Sequence, residues 1–404
     1  MKKTFVLGLL LTTLFISCKQ EKKETVENSE DVALAVPVDQ KWSDRMAMSI
    51  MKRNKEAWMI DLREDPKWDY VHGLVMLAFE KLYETNHEKA YFDYVKGYAD
   101  ELIDSSGVII RYKLKDYNID MINAGKILFD LYDLTDDHRY KTAMDTLRKQ
   151  IDGQPRTASG GFWHKKRYPN QMWLDGLYMG APFYAAYNTR FEGGDKLNDI
   201  AKQFELIQKN ARDPKTGLLY HGWDESREME WADKVTGTSP NFWSRSLGWY
   251  AMALVDVLDY YPDNHRKKKE LIGYLNELAE ALLPFQDESG LWYQVTDMGD
   301  REGNYLEASG SSMFAYALAK GANKGYLPEK FKDVANKAFD GLTQELIKVD
   351  PDGEIHLTEV CAVAGLGGNP YRDGSYEYYV NERKKDNDPK GTGPFIMAAL
   401  ELNR

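Results

Sequence analysis

Ser312-Met313-Phe314-Ala315-Tyr316-Ala317-Leu318-Ala319 is apolar or small on nearly every helical face, whereas His265-Arg266-Lys267-Lys268-Lys269-Glu270-Leu271-Ile272 is charged with a single apolar stripe. A helix that is apolar all round belongs in an interior, and a one-sided helix lies outside it. The same contrast recurs along the chain. Helical periodicity is present over roughly 40–55, 70–84, 87–104, 118–134, 137–151, 174–190, 194–210, 243–260, 264–284, 308–322, 328–347 and 394–403, with little sustained alternation of period two. The odd-numbered segments are amphipathic and the even-numbered ones apolar. Six outer–inner pairs predict an all-α fold, an (α/α)6 barrel of six inner and six outer helices. A superhelix of helical hairpins is the competing arrangement; twelve helices with no further pair favour closure.

The loops carry a second regularity. Ser106-Gly107-Val108-Ile109-Ile110-Arg111-Tyr112, Gly160-Gly161-Phe162-Trp163-His164, Gly217-Leu218-Leu219-Tyr220-His221, Gly290-Leu291-Trp292-Tyr293 and Gly353-Glu354-Ile355-His356 each precede an inner helix. Each reads as a glycine turn and a short extended run. This places aromatic residues and histidines at the barrel end that holds the N-termini of the inner helices. Free N–H groups and helix dipoles there favour an anion, such as a carboxylate-bearing ligand.

The 404 residues include 53 Lys+Arg against 64 Asp+Glu, a net charge of −11, which argues against a general nucleic-acid binder. With 43% hydrophobic residues there is material for one large core, and two cysteines cannot make a disulfide scaffold. Met1-Lys2-Lys3 followed by an apolar run to Ile16 reads as an export signal. Leu14-Phe15-Ile16-Ser17-Cys18 resembles the lipobox of bacterial lipoproteins, in the loose form common in Bacteroidetes. It implies cleavage after residue 17 and a diacylglycerol on Cys18, so that lipid alone holds the chain at a membrane. Residues 18–38 are expected to form a flexible tether and 39–404 the barrel. No acidic run follows Cys18, which favours the periplasmic side over the cell surface. Cys361 reads as a buried, inert thiol.

Three stretches open inner helices: Asn118-Ile119-Asp120-Met121, Gln171-Met172-Trp173-Leu174-Asp175-Gly176 and Phe242-Trp243-Ser244-Arg245-Ser246-Leu247-Gly248-Trp249. Taken alone, either Asp fits an N-cap. Arg245 in an apolar helix requires an anionic partner. There is no H-E-x-x-H, paired-cysteine zinc signature, P-loop or G-x-S-x-G elbow, and Gly365-Leu366-Gly367-Gly368 lacks the context of a nucleotide loop. The expected chemistry is acid–base work by carboxylates among aromatics and Arg, without metal or cofactor.

At Gly161-Phe162-Trp163-His164-Lys165, Met172-Trp173-Leu174-Asp175-Gly176-Leu177-Tyr178-Met179, Phe242 to Trp249 and Glu307-Ala308-Ser309-Gly310-Ser311-Ser312-Met313-Phe314, the chain resembles glycoside hydrolase family 105, the unsaturated rhamnogalacturonyl hydrolases. It is more distantly similar to the unsaturated glucuronyl hydrolases of family 88. The resemblance implies the (α/α)6 barrel, with Asp175 as the catalytic acid and base and Asp120 as the second active-site carboxylate. It implies substrate contacts from His221, Trp243, Arg245, Trp249 and Lys165. Trp173 and Tyr178 would supply apolar walls around Asp175. Asp120 would orient sugar hydroxyls and help to raise the Asp175 carboxyl, while Trp243 and Trp249 would stack on sugar faces. Where the family often has Gly-Asn after the Arg, this chain has Ser246-Leu247. The implied substrate is a lyase-made oligosaccharide ending in a 4,5-unsaturated uronic acid, linked to rhamnose as in rhamnogalacturonan or ulvan. The implied reaction is hydration of the C4=C5 bond, by a monomer or weak oligomer. Two rivals stand beside it: a two-carboxylate glycosidase or lyase on the same barrel, and a non-catalytic glycan-binding lipoprotein.

Overall fold

The computed structural model describes Met1 and residues 35–404. The signal segment, Cys18 and most of the expected tether lie outside the described residues. In chain order the helices are α1 (Trp42–Arg53), α2 (Tyr70–Asn86), α3 (Lys89–Leu102), α4 (Leu128–Thr135), α5 (His138–Gly153), α6 (Leu174–Phe191), α7 (Leu197–Ala211), α8 (Ser244–Val257), α9 (Arg266–Leu282), α10 (Ala308–Asn323), α11 (Lys330–Gly341), α12 (Tyr376–Asn381) and α13 (Pro389–Leu402). Two small antiparallel ladders complete the body: β1 (Gln171–Trp173) with β2 (Gly222–Asp224), and β3 (Ile347–Val349) with β4 (Ile355–Leu357).

Helix α2, the 3-10 segment Ile119–Ile127 that leads into α4, and helices α6, α8, α10 and α13 form a ring in which each packs on the next, and α13 closes on α2. Outside them, α3, α5, α7, α9 and α11 lie against α2, α4, α6, α8 and α10, and α1 lies against α13. The ring is closed, so the chain is an (α/α)6 barrel rather than an open superhelix. The inner helices are buried on most faces; α10 buries all of Ala308 to Ala322, whereas α9 buries only one stripe. Helix α12 is a single short element in the long segment before α13.

The second inner element departs from the sequence expectation. Its first nine residues, Ile119–Ile127, wind as a 3-10 helix before α4 begins. The last inner helix starts five residues earlier than its apolar pattern indicates, with Pro389 in the first turn and Pro394 inside it. Pro182 likewise lies inside α6. A proline cannot donate to the carbonyl four residues back, and in α6 that carbonyl belongs to Tyr178. Lys126 takes the missing role: its Nζ donates to Tyr178 O at 2.9 Å. The tether boundary also shifts, because Val36 is buried and its N–H donates to Asp352 O at 3.0 Å. The folded body therefore includes Val36 rather than starting at residue 39.

The five glycine turns form as expected, with positive φ at Gly107, Gly160, Gly217, Gly290 and Gly353. At Gly353 a Cβ would sit 2.0 Å from Val36 O, so both the dihedral and the close approach require glycine there. These turns crowd one end of the ring and build the mouth.

Candidate active site

Four inner helices are stitched to the mouth by their first N–H. Ile119 N donates to His164 O (3.2 Å), Leu174 N to His221 O (3.0 Å), Ser244 N to Gln294 O (3.1 Å) and Ala308 N to Glu359 O (3.1 Å). In each case the acceptor lies in the loop leading to the next inner helix. The expected ring of free, anion-seeking N–H groups is therefore partly filled by protein carbonyls. What reaches the mouth is side chains held at fixed heights by this stitching.

Neither aspartate is an N-cap. Asn118 caps the 3-10 segment through a bond from Asp120 N, and Trp173 precedes α6 with no side-chain cap. Asp175 stands in the first turn of α6, where its Oδ2 lies 3.3 Å from His221 Nε2 without the alignment of a full hydrogen bond. His221 is buried and shares a 2.7 Å hydrogen bond between Nδ1 and the Tyr379 hydroxyl. Burial pushes the imidazole below its ordinary value, with Asp175 acting against that, so the ring is neutral near pH 7. Trp173 meets this histidine edge-on at 5.4 Å and stacks on His164 at 4.4 Å. Asp175, His221 and Tyr379 thus form a line of three groups between aromatic walls.

Asp120 sits in a different environment. Its Oδ2 accepts from Lys165 Nζ at 2.5 Å, and its Oδ1 is 3.2 Å from His164 Nε2. Burial alone would raise this carboxyl, but Lys165 and His164 outweigh it and hold it well below the usual carboxylate range. Asp120 is thus a charged carboxylate already balanced by a cation. A carboxyl depressed in the folded state stabilises the fold above its unfolded value near ~4, and that contribution is lost as pH falls toward the folded value. Asp120→Asn is accordingly expected to flatten the acid limb of the stability curve. Urea unfolding across roughly pH 3–6 checks this, and equal acid sensitivity in both proteins would rule it out.

Arg245, also in a first turn, is 1% exposed. Its Nη1 donates to Cys361 O and to Ser309 Oγ (3.3 Å), its guanidinium lies over the Trp243 ring at 4.6 Å, and its Nε has no partner. Burial works against its charge, but Cys361, Glu307 and Asp388 outweigh this and hold the guanidinium above its ordinary value. The anionic neighbour that the sequence demanded includes Glu307, a buried carboxylate that caps α10. It accepts from Ser309 N, Gly310 N and Cys361 N at 3.1, 2.6 and 3.0 Å. Cys361 is buried as expected, and burial raises its thiol.

The tryptophans require correction. Trp243 and Trp249 were expected to offer sugar-stacking faces, yet each is 1% exposed. Trp243 is covered by Tyr379, stacked at 5.8 Å, and its Nε1 donates to Gln294 Oε1 at 3.0 Å. Trp249 and Tyr178 lie deeper. They stack on each other at 4.9 Å, and Lys126 Nζ lies 3.3 Å from the Tyr178 ring centroid. Tyr178 therefore packs inside the ring rather than walling Asp175. That wall comes from Trp173, and Tyr168 stacks on Trp173 at 5.0 Å.

Sequence reading missed Tyr379 and Arg372, which come from the segment after β4. Arg372 is half-buried 5.9 Å from the Trp173 ring centroid; its Nε donates to Gly367 O (2.8 Å) and its Nη2 to Tyr168 Oη (2.9 Å). The signal was the glycine-rich loop: a Cβ on Gly365 would lie 2.2 Å from Arg372 Nη1. Those glycines make room for a guanidinium, not a nucleotide.

The model of Glycosyl Hydrolase Family 88 matches residues 42–404. A family 105 glycoside hydrolase of C. acetobutylicum ATCC 824 is 48% identical in sequence and superposes with a TM-score of 0.86, over 90% of this chain and 99% of that one. A 24.9 kDa protein in the picA locus of Rhizobium radiobacter is 38% identical over 229 residues, 55% of this chain and 97% of that one. The unsaturated rhamnogalacturonyl hydrolase YesR of Bacillus subtilis is 28% identical over 344 residues, 82% of this chain and 92% of that one. With the closed barrel and the paired carboxylate sites at its mouth, these likenesses decide the family: the chain belongs to Glycosyl Hydrolase Family 88 and, with its clostridial relative, to glycoside hydrolase family 105.

Proposed function

We propose that this glycoside hydrolase removes a 4,5-unsaturated uronic acid, linked to rhamnose, from the non-reducing end of oligosaccharides that a polysaccharide lyase has made from rhamnogalacturonan or ulvan. The observation that carries this reading is the asymmetry of the two carboxylates. Asp120 is engaged by Lys165 and His164, whereas Asp175 meets only a neutral histidine and aromatic walls. One carboxyl free to lend and retrieve a proton suits hydration, while a conventional glycosidase needs two working carboxyls in matched positions. The likeness to the B. subtilis rhamnogalacturonyl hydrolase supports the choice of rhamnose.

In this mechanism Asp175 gives its proton to C4 of the enol ether, and positive charge develops at C5 and the ring oxygen. Water attacks C5 and returns a proton to the Asp175 carboxylate. The resulting hemiketal opens at the bond between C5 and the ring oxygen, leaving a ketone at C5 and a hemiacetal at C1. That hemiacetal then releases the neighbouring sugar with its glycosidic oxygen. His221, fixed by Tyr379, holds the Asp175 carboxyl in place. Asp120 and Lys165 face sugar hydroxyls. The guanidinium open to the uronate carboxylate is that of half-buried Arg372 beside Trp173, whereas Arg245, expected from sequence to contact substrate, is fully buried over the Trp243 ring. Lipid on Cys18 and a periplasm-facing position complete the reading.

The test is a product assay on lyase digests of pectin, ulvan and glycosaminoglycans. The ultraviolet absorbance of the double bond is expected to disappear. In deuterium oxide one deuteron is expected at C4 of the uronate-derived product, and in heavy-oxygen water the label is expected at its C5 when sampled before exchange, with the hydroxyl freed on the neighbouring sugar unlabelled. Release of an intact unsaturated monosaccharide would overturn the mechanism, and binding without turnover would leave a glycan-binding protein instead.

A further inference from the structure

Beside Asp120 lies a cleft of about 1030 Å³ in whose lining only Lys165 has a role in the proposed chemistry. Its lining carries eight Lys or Arg side chains against four Asp or Glu, the reverse of a chain with 53 basic and 64 acidic residues. The cations divide into two sets. Arg63 and Lys67 are spent on Asp69, and Arg111 reaches Asp65 only at 4.0 Å. Lys113, Lys115, Lys166 and Arg167 are exposed, and among the described residues no carboxylate pairs with any of them. Four unpaired cations converging on one concave surface of an acidic protein repel one another. A wall of low dielectric also focuses their field into the cleft. Such an arrangement costs stability unless an anion is meant to enter.

The position of the cleft says which anion. Its inner edge is formed by Asn118 and Lys165, the residues that hold the Asp120 N–H and carboxylate. This edge is linked to Asp175 through His164, Trp173 and His221, so a sugar whose terminal uronate lies at Asp175 has the cleft beside it for its next residues. We infer that the cleft is a binding site for the leaving portion of the oligosaccharide, and that this portion carries an oxyanion, sulfate or carboxylate, held by Lys113, Lys115, Lys166 and Arg167. The inference rests on the reading of Asp175 as the residue acting on the terminal sugar, and it adds a charge requirement to the sugars beyond. Each exposed contact is weak alone; their joint action is strong and sensitive to salt.

The experiment compares the wild type with a Lys113→Glu/Lys166→Glu double variant on three unsaturated substrates, whose leaving sugars are neutral, sulfated or carboxylated. The expected result is a rise in KM on a charged substrate that exceeds the rise on the neutral one by about tenfold or more, with kcat altered by less than about twofold. A rise confined to the sulfated substrate identifies sulfate, and one confined to the carboxylated substrate identifies a uronate. Added salt is expected to erode the wild-type advantage on that same substrate. Equal changes on all three substrates, or none, would overturn the inference. A second arm titrates both proteins calorimetrically with saturated sulfated rhamno-oligosaccharide and with oligogalacturonate, neither of which can be turned over. If no unsaturated substrate is hydrolysed while charge reversal still abolishes this binding, the cleft assignment stands and the catalytic reading fails. If hydrolysis proceeds and binding is indifferent to the charge reversal, the cleft assignment fails and the catalytic reading stands.

Discussion

Asp175→Asn is expected to lower turnover by about a hundred- to ten-thousand-fold, the usual worth of a positioned general acid–base group. The amide keeps the shape of the carboxyl and its place opposite His221, yet it cannot release a proton to carbon and take one back from water. The barrel should be undisturbed, because Asp175 caps no helix and, among the described residues, its one close ionisable contact is an unaligned 3.3 Å approach to a neutral ring. Loss of double-bond absorbance measures turnover, and the urea unfolding midpoint measures the fold. Residual activity within about tenfold of wild type, a barrier change of ~1.4 kcal/mol, would remove Asp175 from the chemistry. A matching collapse of stability would make it a structural residue.

Glu307→Ala is expected to destabilise the fold by about 3–5 kcal/mol. The residue is fully buried, and its two oxygens accept from three backbone N–H groups and the Ser309 hydroxyl. Truncation would uncap α10 and loosen the Cys361 segment. It would also remove one of the two carboxylates, Glu307 and Asp388, that offset the Arg245 guanidinium, fully buried over Trp243. Glu307→Gln keeps one acceptor oxygen and the volume, so a smaller loss is expected; its remaining defect is the weaker compensation of Arg245. Urea unfolding of both variants ranks the two effects. A loss below about 1 kcal/mol for the alanine variant would show that solvent or repacking replaces the carboxylate.

The barrel was legible in the sequence because the inner helices must be apolar all round, a demand that composition alone reveals. The α10 stretch and the α9 stretch are enough to show it. Proline obscured two details: Pro394 made α13 look shorter than it is, and Pro182 leaves no trace of the Lys126 bond that compensates it. Asp175 and Asp120 could be picked out as a pair, but not their difference. That difference depends on Lys165, His164 and His221 arriving from other loops, a fact of three-dimensional juxtaposition. The expected stacking on Trp243 and Trp249 failed because the chain after β4 folds over one and Tyr178 fills against the other. Tyr379 and Arg372 belong to that same stretch, where no periodicity marks a side chain's destination.

The stitching of the mouth has a consequence for biosynthesis. Every bond from an inner helix reaches forward, to a loop made later: Ile119 waits for His164, Leu174 for His221, Ser244 for Gln294 and Ala308 for Glu359. The ring itself is finished only by α13, whose Phe395, Ile396, Met397, Ala398 and Ala399 have no exposed surface once it seats between α10 and α2. A nascent chain short of these last residues holds an apolar gap along its whole height. Its opening helices can form early, and α2 can pack on α3 and on the Ile119–Ile127 segment, but its flank toward α13 stays open until the end of synthesis. The molecule is therefore all or nothing. A chain halted before Pro389 would not be a weaker enzyme but an open, adhesive intermediate, one that chaperones would have to shelter until its terminus arrives.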